Sequence, residues 1–463
     1  MISMKASDIA DVIGGELLGD DIEVHSHAFL SSLQCTPGSI FLAIKGEKLD
    51  GHDFVTDAFT HGAVLAITSR PVSERCIVID DVTIAIGKLA HWLRAQLKDL
   101  KVIGITGSQG KTTTKEFLRE ILIAEGETIS PAGNYNNDLG VPLTLLQCTD
   151  LTKYCILEMG ARHVGDIARL AEIATPDVGV VLKVAAAHLG EFGSIEKIAA
   201  TKSEMISALP PEGIAILGQY DSHTQVMSKL HGGKVVRFGE TPSAEIRATD
   251  IELRDGCAHF ELVTPSGRAT TTLRVIGEHQ VANALAAAAV AYSLGVSVER
   301  IAAALSIAEL KAKWRMELHD LGDFTLINDS YNASPDSMAA ALRTLVHISQ
   351  ERGGESWAFL GNMRELGESS PREHALIAEL AESLGVDHLV TIGASEYAAG
   401  ISPHSQTMLH QCQTKEDAEE FFQFFNRGDV VLCKASRSDG LEVVADQITK
   451  FWSKRVKEEE VTE

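Results

Sequence analysis

The residues from 106 to 113 have the types and the spacing that bind phosphate, in the order Thr-Gly-Ser-Gln-Gly-Lys-Thr-Thr. Gly107 and Gly110 allow the backbone to come close to an anion, and the N–H groups at the start of a following helix would point at it. Lys111 adds a positive charge, and the Thr112 hydroxyl can bind Mg²⁺. The sequence therefore predicts a site for a nucleoside triphosphate.

The segments on either side of this phosphate loop supply the elements that must position it. Residues 102–105 are an apolar run suited to a buried parallel strand, and residues 115–122 have helical spacing. The full phosphate-binding pattern places a glycine where this chain has Ile105, so only the shorter G-x-x-G-K-T core is present. An ordinary glycine turn is the alternative interpretation, and the flanking strand and helix favour the phosphate loop.

Length and composition limit the class of protein. The 463 residues suggest about three domains, and 45% hydrophobic with 23% charged residues is typical of a soluble globular protein. No apolar run reaches membrane-spanning length, and no signal-peptide stretch follows residues 1–5, so we expect a cytoplasmic protein. The net charge of −23 argues against binding to bulk nucleic acid. The seven cysteines include no C-x-x-C pair, which argues against a disulfide framework or a zinc site.

Alternating strand and helix patterns divide the chain into three α/β units. Residues 1–98 mix short strands, such as one at 41–44, with helical stretches. In residues 99–312 the predicted strands lie at 154–157, 177–182 and 214–217, and the helices at 195–207 and 281–294, which indicates a mostly parallel sheet. In residues 313–463 the predicted strands lie at 324–327, 357–360, 388–392 and 430–433, and the helices at 337–347, 374–384, 415–425 and 441–451. This last alternation is Rossmann-like and doubly wound.

Four further segments place polar side chains where such sheets present ligands. Glu158 ends an apolar strand, and His188 follows another. A polar, turn-prone stretch covers residues 134–142, and the third unit opens with Asn-Asp-Ser-Tyr-Asn-Ala-Ser-Pro-Asp-Ser-Met at 328–338. Together with the phosphate loop, these segments indicate an enzyme rather than a simple nucleotide binder.

In this order and spacing the motifs resemble those of the Mur ligase family over nearly the whole chain. Supporting stretches are Lys45-Gly46-Glu47, Asp50-Gly51-His52-Asp53-Phe54, Gly277-Glu278-His279, Asn283-Ala284, Glu365-Leu366-Gly367-Glu368 and Lys434-Ala435-Ser436-Arg437. The resemblance implies an N-terminal α/β domain over 1–98 that binds a UDP-linked substrate. It also implies a central P-loop domain over 99–312 that binds ATP, and a C-terminal Rossmann-like domain over 313–463 that binds the incoming amine.

The resemblance also implies the reaction. A peptide carboxylate would attack the γ-phosphate of ATP, and an amine would then displace phosphate from the acyl phosphate to form an amide. The implied substrates are UDP-N-acetylmuramoyl-tripeptide and D-alanyl-D-alanine, in peptidoglycan precursor synthesis, with ATP and Mg²⁺ as cofactors. We expect a monomer without stable membrane insertion and without a nucleic-acid partner.

The same resemblance gives roles to particular residues. Catalytic roles would fall to Lys111, His188 and Lys202. The metal ligands would be Thr112, Glu158, His188 and Lys202, the last as a carbamate. The ATP site would comprise Gly107, Ser108, Gln109, Gly110, Lys111, Thr112, Thr113, Asn283, Arg315, Asp329 and Asn332. The acceptor site would comprise Ser32, Lys45, Gly46, Asp50, His52, Asp53, Asn136 and Asn137.

Plainer interpretations exist for several of these residues when each is taken alone. Lys202 is then a solvated helix lysine, Asn283 a helix-packing residue, and Arg315 a surface residue. Asp329 and Asn332 would be a turn-forming pair. His279 is expected to be structural rather than catalytic.

The chain departs from the family pattern mainly where the acceptor would bind. Ser31-Ser32-Leu33 stands where the family has Asp-Ser/Thr-Arg, so a charge pair is absent, and Lys183 replaces an Asn shortly before His188. A second hypothesis is therefore a paralogous ligase that joins a different carboxylate and amine. A third, less favoured, is a non-catalytic nucleotide-binding regulator, which would have no use for Glu158, His188 and Lys202 together.

Overall fold

The computed structural model of the chain describes residues 1–131, 133, 135–186 and 189–462. Within these residues the strands form sheets of five, nine and six strands and a separate two-stranded ribbon. The predicted α/β architecture with mostly parallel sheets is confirmed. No helix of the described residues is both long enough and apolar enough to cross a bilayer.

The first sheet has the strand order β2-β7-β6-β5-β4. The elements of this region are β1 (Met4–Lys5), α1 (Ala6–Ile13), β2 (Glu16–Leu18), β3 (Glu23–Val24), β4 (Ala28–Phe29), β5 (Ser39–Leu42), α2 (Val55–Thr60), β6 (Ala63–Thr68), β7 (Cys76–Val78) and α3 (Val82–Gln96). α3 begins where the Asp81 carboxylate accepts hydrogen bonds from two backbone N–H groups of its first turn. The strand predicted at 41–44 starts two residues earlier and ends at Leu42.

The second sheet has the order β16-β15-β14-β13-β12-β11-β8-β10-β9. Its strands are β8 (Lys101–Thr106), β9 (Thr128–Ile129), β10 (Tyr154–Glu158), β11 (Val178–Val181), β12 (Ile214–Gly218), β13 (Lys234–Gly239), β14 (Ile246–Arg254), β15 (Cys257–Thr264) and β16 (Gly267–Ile276). The helices are α4 (Lys111–Leu122), α5 (Gly140–Leu145), α6 (Asp166–Ala174), α7 (Leu189–Phe192), α8 (Ile195–Ser207), α9 (Ser222–Val226), α10 (Gln280–Ser293) and α11 (Val298–Ile307). β8 lies between β10 and β11 and is parallel to both, so the loop that follows it is at the centre of the sheet edge.

One edge of this sheet was not predicted. β14, β15 and β16 pair antiparallel and extend the parallel part as a three-stranded meander. Along β15, buried residues alternate with half-buried ones, which is the pattern of a sheet with one covered face.

The third sheet has the order β17-β18-β22-β19-β20-β21, and its pairs are parallel except for β17 with β18. The elements are β17 (Glu317–Asp320), β18 (Thr325–Asn328), α12 (Pro335–Arg352), β19 (Ser356–Leu360), α13 (Ser370–Leu384), β20 (His388–Ile392), β21 (Met408–Cys412), α14 (Lys415–Ala418), β22 (Val430–Lys434) and α15 (Glu442–Thr462). The single helix predicted at 415–425 is instead the short α14 followed by a 3₁₀-helix at Glu419–Phe424.

The first two sheets share one apolar core, whereas the third packs around two further clusters, one of which also includes Ile276 of β16. Ile9 and Leu89 of the N-terminal region belong to the same buried cluster as Leu157 and Ile206 of the second region. The N-terminal region is therefore anchored to the central one through α3, which packs against α5 and α6. The third region contacts the second both beside the phosphate loop, where Gln109 donates to Ser334, and away from it, where the Gly256 N–H donates to Glu351.

Candidate functional site

The phosphate loop leaves the carboxyl end of β8 and enters α4 directly. α4 begins at Lys111, because Gly110 adopts a left-handed backbone with φ 81° that closes the loop. A Cβ atom at Gly110 would lie 2.2 Å from Oδ1 of Asn283, so only glycine fits there. Lys111 Nζ donates a hydrogen bond to the Gly107 carbonyl at 2.8 Å. The loop thus has the helix start, the lysine and the close backbone that phosphate binding requires.

A hydroxyl, a carboxylate and an amide lie together beside the loop. Thr112 Oγ1 donates to Glu158 Oε2 at 2.9 Å, and Asn136 Nδ2 donates to Glu158 Oε1 at 3.0 Å. Glu158 is only 2% exposed. These oxygen atoms are the hard donors that Mg²⁺ prefers, and Mg²⁺ sites commonly combine one or two carboxylates with substrate phosphates. The described residues include no group of three or more His, Cys, Asp or Glu side chains that could hold a metal ion.

Lys202 extends into the same cavity from α8, a helix whose start is capped by Ser194. The residue is 6% exposed. Burial, and to a smaller extent the nearby charge of Lys111, lowers the pKa of Lys202 to about 7. Near neutral pH a large share of this amine is therefore uncharged. His188, predicted as its companion, lies outside the described residues.

A second group of polar residues comes from the third sheet. Asp329 Oδ2 accepts a hydrogen bond from Lys434 Nζ at 2.6 Å, and Lys434 also donates to the Asn332 carbonyl at 2.7 Å. Asp329 Oδ1 accepts from the backbone N–H of Met316 at 3.1 Å. Asp329 therefore holds the segment that carries Arg315, whose guanidinium lies 3.9 Å from the centre of the Tyr331 ring.

The backbone of that segment is strained. Trp314 and Met316 have φ angles of 61° and 51°, a region that side chains other than glycine rarely adopt. Arg437 stacks on Trp314 with its guanidinium carbon 4.3 Å from the ring centre. Such outliers persist only where the surroundings hold them, which fits a segment shaped for a ligand.

One cavity of about 850 Å³ joins these groups. The predicted residues that line it are Gly107, Ser108, Gln109, Gly110, Lys111, Thr112, Thr113, Asn136, Asn137, Glu158, Lys202, Asn283, Arg315, Asp329 and Asn332. The sequence analysis missed Lys434, Tyr331, Arg162 and Arg364 as lining residues. Lys434 and Tyr331 belong to motifs that the sequence analysis quotes, although neither was assigned to the site.

The structure does not bring the N-terminal candidates into this cavity. From the first region, Leu30 lines it, whereas Ser32, Lys45, Gly46, Asp50, His52 and Asp53 do not. Leu33, at the position of the absent arginine, is 74% exposed.

Asp50 and His52 instead hold their own loop together. Asp50 Oδ1 lies 2.6 Å from His52 Nδ1, and Oδ2 accepts from Arg70 Nη1 at 3.0 Å. Two hydrogen bonds from His52 hold the pKa of Asp50 well below its usual value. The bond from the backbone N–H has the larger effect, and the bond from the ring adds to it. His52 Nε2 accepts from the backbone N–H of Ser69 at 3.0 Å. These contacts position the loop at 45–51.

The phosphate loop, the carboxylate at the end of the neighbouring strand and the buried lysine on a three-sheet frame define an ATP-dependent ligase of the Mur type. Family models match three stretches of the chain, as the Mur ligase family catalytic domain (residues 28–99), the Mur ligase middle domain (105–291) and the Mur ligase glutamate ligase domain (314–437). The chain belongs to the Mur ligase family, and the resemblance noted in the sequence is confirmed.

Its relatives carry a more particular name. The chain is 38% identical to the UDP-N-acetylmuramoyl-tripeptide--D-alanyl-D-alanine ligase of Mycobacterium tuberculosis, over 97% of this chain and 98% of the relative. It is 36% identical to that of Escherichia coli, over 87% and 90%. Among solved structures, MurF from Acinetobacter baumannii superposes with a TM-score of 0.88 at 34% identity, covering 97% of this chain and 99% of that one. MurF ligase from Thermotoga maritima in complex with ADP gives 0.81 at 29% identity, with 93% and 98% covered.

Proposed function

We propose that this chain joins D-alanyl-D-alanine to UDP-N-acetylmuramoyl-tripeptide at the expense of ATP, in peptidoglycan precursor synthesis. The relatives over nearly the full length carry this activity in their names. The observation that carries the proposal is the single cavity in which the phosphate loop, Glu158 and Lys202 face residues from the third sheet. A ligase needs this convergence, because ATP, an acid and an amine must meet in one place.

In the first step an oxygen of the acceptor carboxylate attacks the γ-phosphorus of ATP, and ADP leaves. Lys111 and the N–H groups at the start of α4 stabilise the charge on the transferred phosphoryl oxygens. Asn283 and Arg315 would hold the base end of the nucleotide, and Asp329 the ribose.

The residues present also fit Mg²⁺, with Thr112 and Glu158 as its oxygen ligands. A bound Mg²⁺ would neutralise phosphate charge during the transfer. The uncharged amine of buried Lys202 is the form that can add CO₂, and the resulting carbamate anion would face the metal. His188 would complete this set by resemblance.

In the second step the amine nitrogen of D-alanyl-D-alanine attacks the acyl carbon, phosphate leaves, and the nitrogen releases a proton. The C-terminal side of the cavity, with Arg364 and Leu366, would receive this substrate. Closure of the third sheet over the second shields the acyl phosphate from water. We assign residues 1–98, 99–312 and 313–463 to acceptor, ATP and amine binding, in a cytoplasmic monomer.

The test is phosphate release with UDP-N-acetylmuramoyl-tripeptide, D-alanyl-D-alanine, ATP and Mg²⁺ together. We expect release with the full mixture and none when either peptide substrate is left out. Release only with another acid and amine would favour the paralogous ligase, for which Ser31-Ser32-Leu33 is the specific observation. ATP binding without release from any acid and amine pair would indicate the non-catalytic regulator instead.

A further inference from the structure

The cavity contains several cationic side chains, and most of them already have partners in the protein. Arg169 donates to both oxygens of Asp138, Nε to Oδ1 at 2.7 Å and Nη2 to Oδ2 at 2.8 Å. Arg364 donates from Nε to Asp439 Oδ1 at 3.0 Å. Arg162 differs, because in the part of the chain that the structure describes its guanidinium has no hydrogen-bond or ion-pair partner. It is a cation available to a ligand.

The backbone that carries Arg162 is fixed by the half-buried carboxylates of Asp166 and Glu204. Asp166 Oδ2 accepts from the N–H groups of Arg162 and His163, each at 2.9 Å. Glu204 Oε1 accepts from the N–H of Gly165 at 2.7 Å. The loop between β10 and α6 is therefore held at three points, so the guanidinium extends from a positioned backbone rather than from a free loop.

This loop directly follows β10, the strand that ends at Glu158. Arg162 follows Glu158 by four residues, and the intervening Gly160 donates its N–H to the Asn136 carbonyl at 2.8 Å. The cavity lining also includes Leu30, from the N-terminal region that we assign to acceptor binding. The groups proposed for the nucleotide base and ribose come instead from α10 and the third sheet.

A chain with a net charge of −23 must provide local positive charge for a polyanionic acceptor. We propose that Arg162 binds a carboxylate of the acceptor peptide other than the one that is activated, an inference that rests on the proposed function. A guanidinium fits a carboxylate with two parallel N–H···O bonds. Binding the second carboxylate at Arg162 leaves the terminal carboxylate as the acid that faces the phosphate loop.

The experiment combines a protein change with a substrate change. Arg162→Ala, Arg162→Lys and the wild type are compared with the natural acceptor and with one whose non-reacting peptide carboxylates are converted to primary amides. Arg268→Ala is the matched control, since Arg268 is exposed on β16 and lies outside the cavity lining. The readouts are kcat, the KM of each substrate from phosphate release, and calorimetric binding of the acceptor alone.

We expect Arg162→Ala to raise the acceptor KM about ten- to hundredfold, the usual range for a charged hydrogen-bond pair. The KM of ATP and of D-alanyl-D-alanine should stay unchanged, and Arg162→Lys should fall between. Amidation should cost the wild type the same factor and cost Arg162→Ala nothing further. A full amidation effect in Arg162→Ala, or an unchanged acceptor KM, would overturn the inference while leaving the proposed function intact. A wild type that releases no phosphate would overturn both.

Discussion

At the scale of single residues, the site depends on amines that the fold removes from water. Burial lowers the pKa of both Lys111 and Lys202, and the charge of Lys111 adds to the effect at Lys202. For Lys111 the opposing charge of Glu158 restores part of the loss, and a triphosphate would restore more. For Lys202 the uncharged state would serve the proposed carbamate, because only a neutral amine adds CO₂. The two lysines line the same cavity, but their neighbouring charges differ: Glu158 raises the pKa of Lys111, whereas Lys111 lowers the pKa of Lys202.

His279 is a titrating group whose role we expect to be structural. Burial lowers its pKa to about 4, although the charge of Asp329 raises it. Unfolding returns the ring to its ordinary value of 6.5, so between these values the unfolded chain binds a proton that the folded chain does not. The stability from the neutral ring is therefore complete above pH 6.5 and lost as pH falls toward 4.

The His279→Gln variant isolates this effect. We expect the free energy of unfolding of the wild type to fall relative to the variant as pH drops below 6.5, by up to about 1.4 kcal/mol per pH unit. Urea titrations of both proteins at several pH values measure the difference. Parallel profiles would contradict a neutral, buried ring.

We expect catalysis to depend on the negative charge of Glu158 rather than on the shape of its side chain. Glu158→Gln keeps one oxygen for Thr112 but removes the negative charge next to the predicted metal. We expect kcat to fall about 10²- to 10³-fold, the range for losing one electrostatic contact in a transition state, with a higher Mg²⁺ concentration at half-maximal rate. Mg²⁺ titration of phosphate release is the measurement. An unchanged Mg²⁺ dependence would remove Glu158 from the metal site.

Sequence could identify the residues of one motif but not their partners. Lys111 and Thr112 belong to a local pattern, whereas the Lys434–Asp329 pair joins residues 105 positions apart. Asp50 and His52 show the reverse case: the motif was visible, yet the structure pairs the two side chains with each other and keeps them out of the cavity. A motif shows which residue types are present, whereas the packing of the fold determines which groups those residues contact.

At the scale of elements, the junction of β8 with α4 is the feature that needs a specific residue. Helical spacing predicted a helix from residue 115, whereas α4 begins at Lys111. Gly110 makes the turn immediately before the helix, and helical spacing alone does not show where such a turn ends. α8 and β20 were predicted with the bounds that the structure gives them. The β14–β16 meander was missed although its residues alternate with period two, since a βαβ pattern was expected to continue.

Gly110→Ala tests this junction. The new methyl group would meet Asn283 Oδ1 at 2.2 Å and would sit on a left-handed backbone, which costs about 1 kcal/mol by itself. We expect ATP affinity to fall about tenfold or more, measured by calorimetry with ATP and Mg²⁺. Gly295→Ala is the matched control, because Gly295 also has a positive φ but has open space around its Cβ position. Equal effects of the two changes on ATP binding would refute the steric role of Gly110.

At the scale of the whole molecule, the contacts between the second and third regions include several beside the cavity. Lys183, the replacement for a family Asn, pairs with Asp336 of α12 at 2.7 Å, and Gln109 of the phosphate loop donates to Ser334 Oγ at 3.2 Å. An exposed ion pair of this kind contributes little, about 0–1 kcal/mol. The closure that we propose would rest on several weak contacts of this kind, to which bound ligands can add.

The backbone contact between α7 and the loop at 365–367 belongs to this set. Gly190 donates its N–H to the Glu365 carbonyl at 2.9 Å, and a Cβ atom at Gly190 would lie 3.0 Å from the N atom of Gly367. Gly190→Ala favours the helix itself but crowds the contact between the sheets. We expect kcat to fall severalfold while the thermal midpoint and ATP affinity stay near wild type, because closure and not folding is affected. Gly232→Ala, in open space on the surface, is the control. If Gly190→Ala and Gly232→Ala gave the same kcat, the α7 contact would have no part in closure.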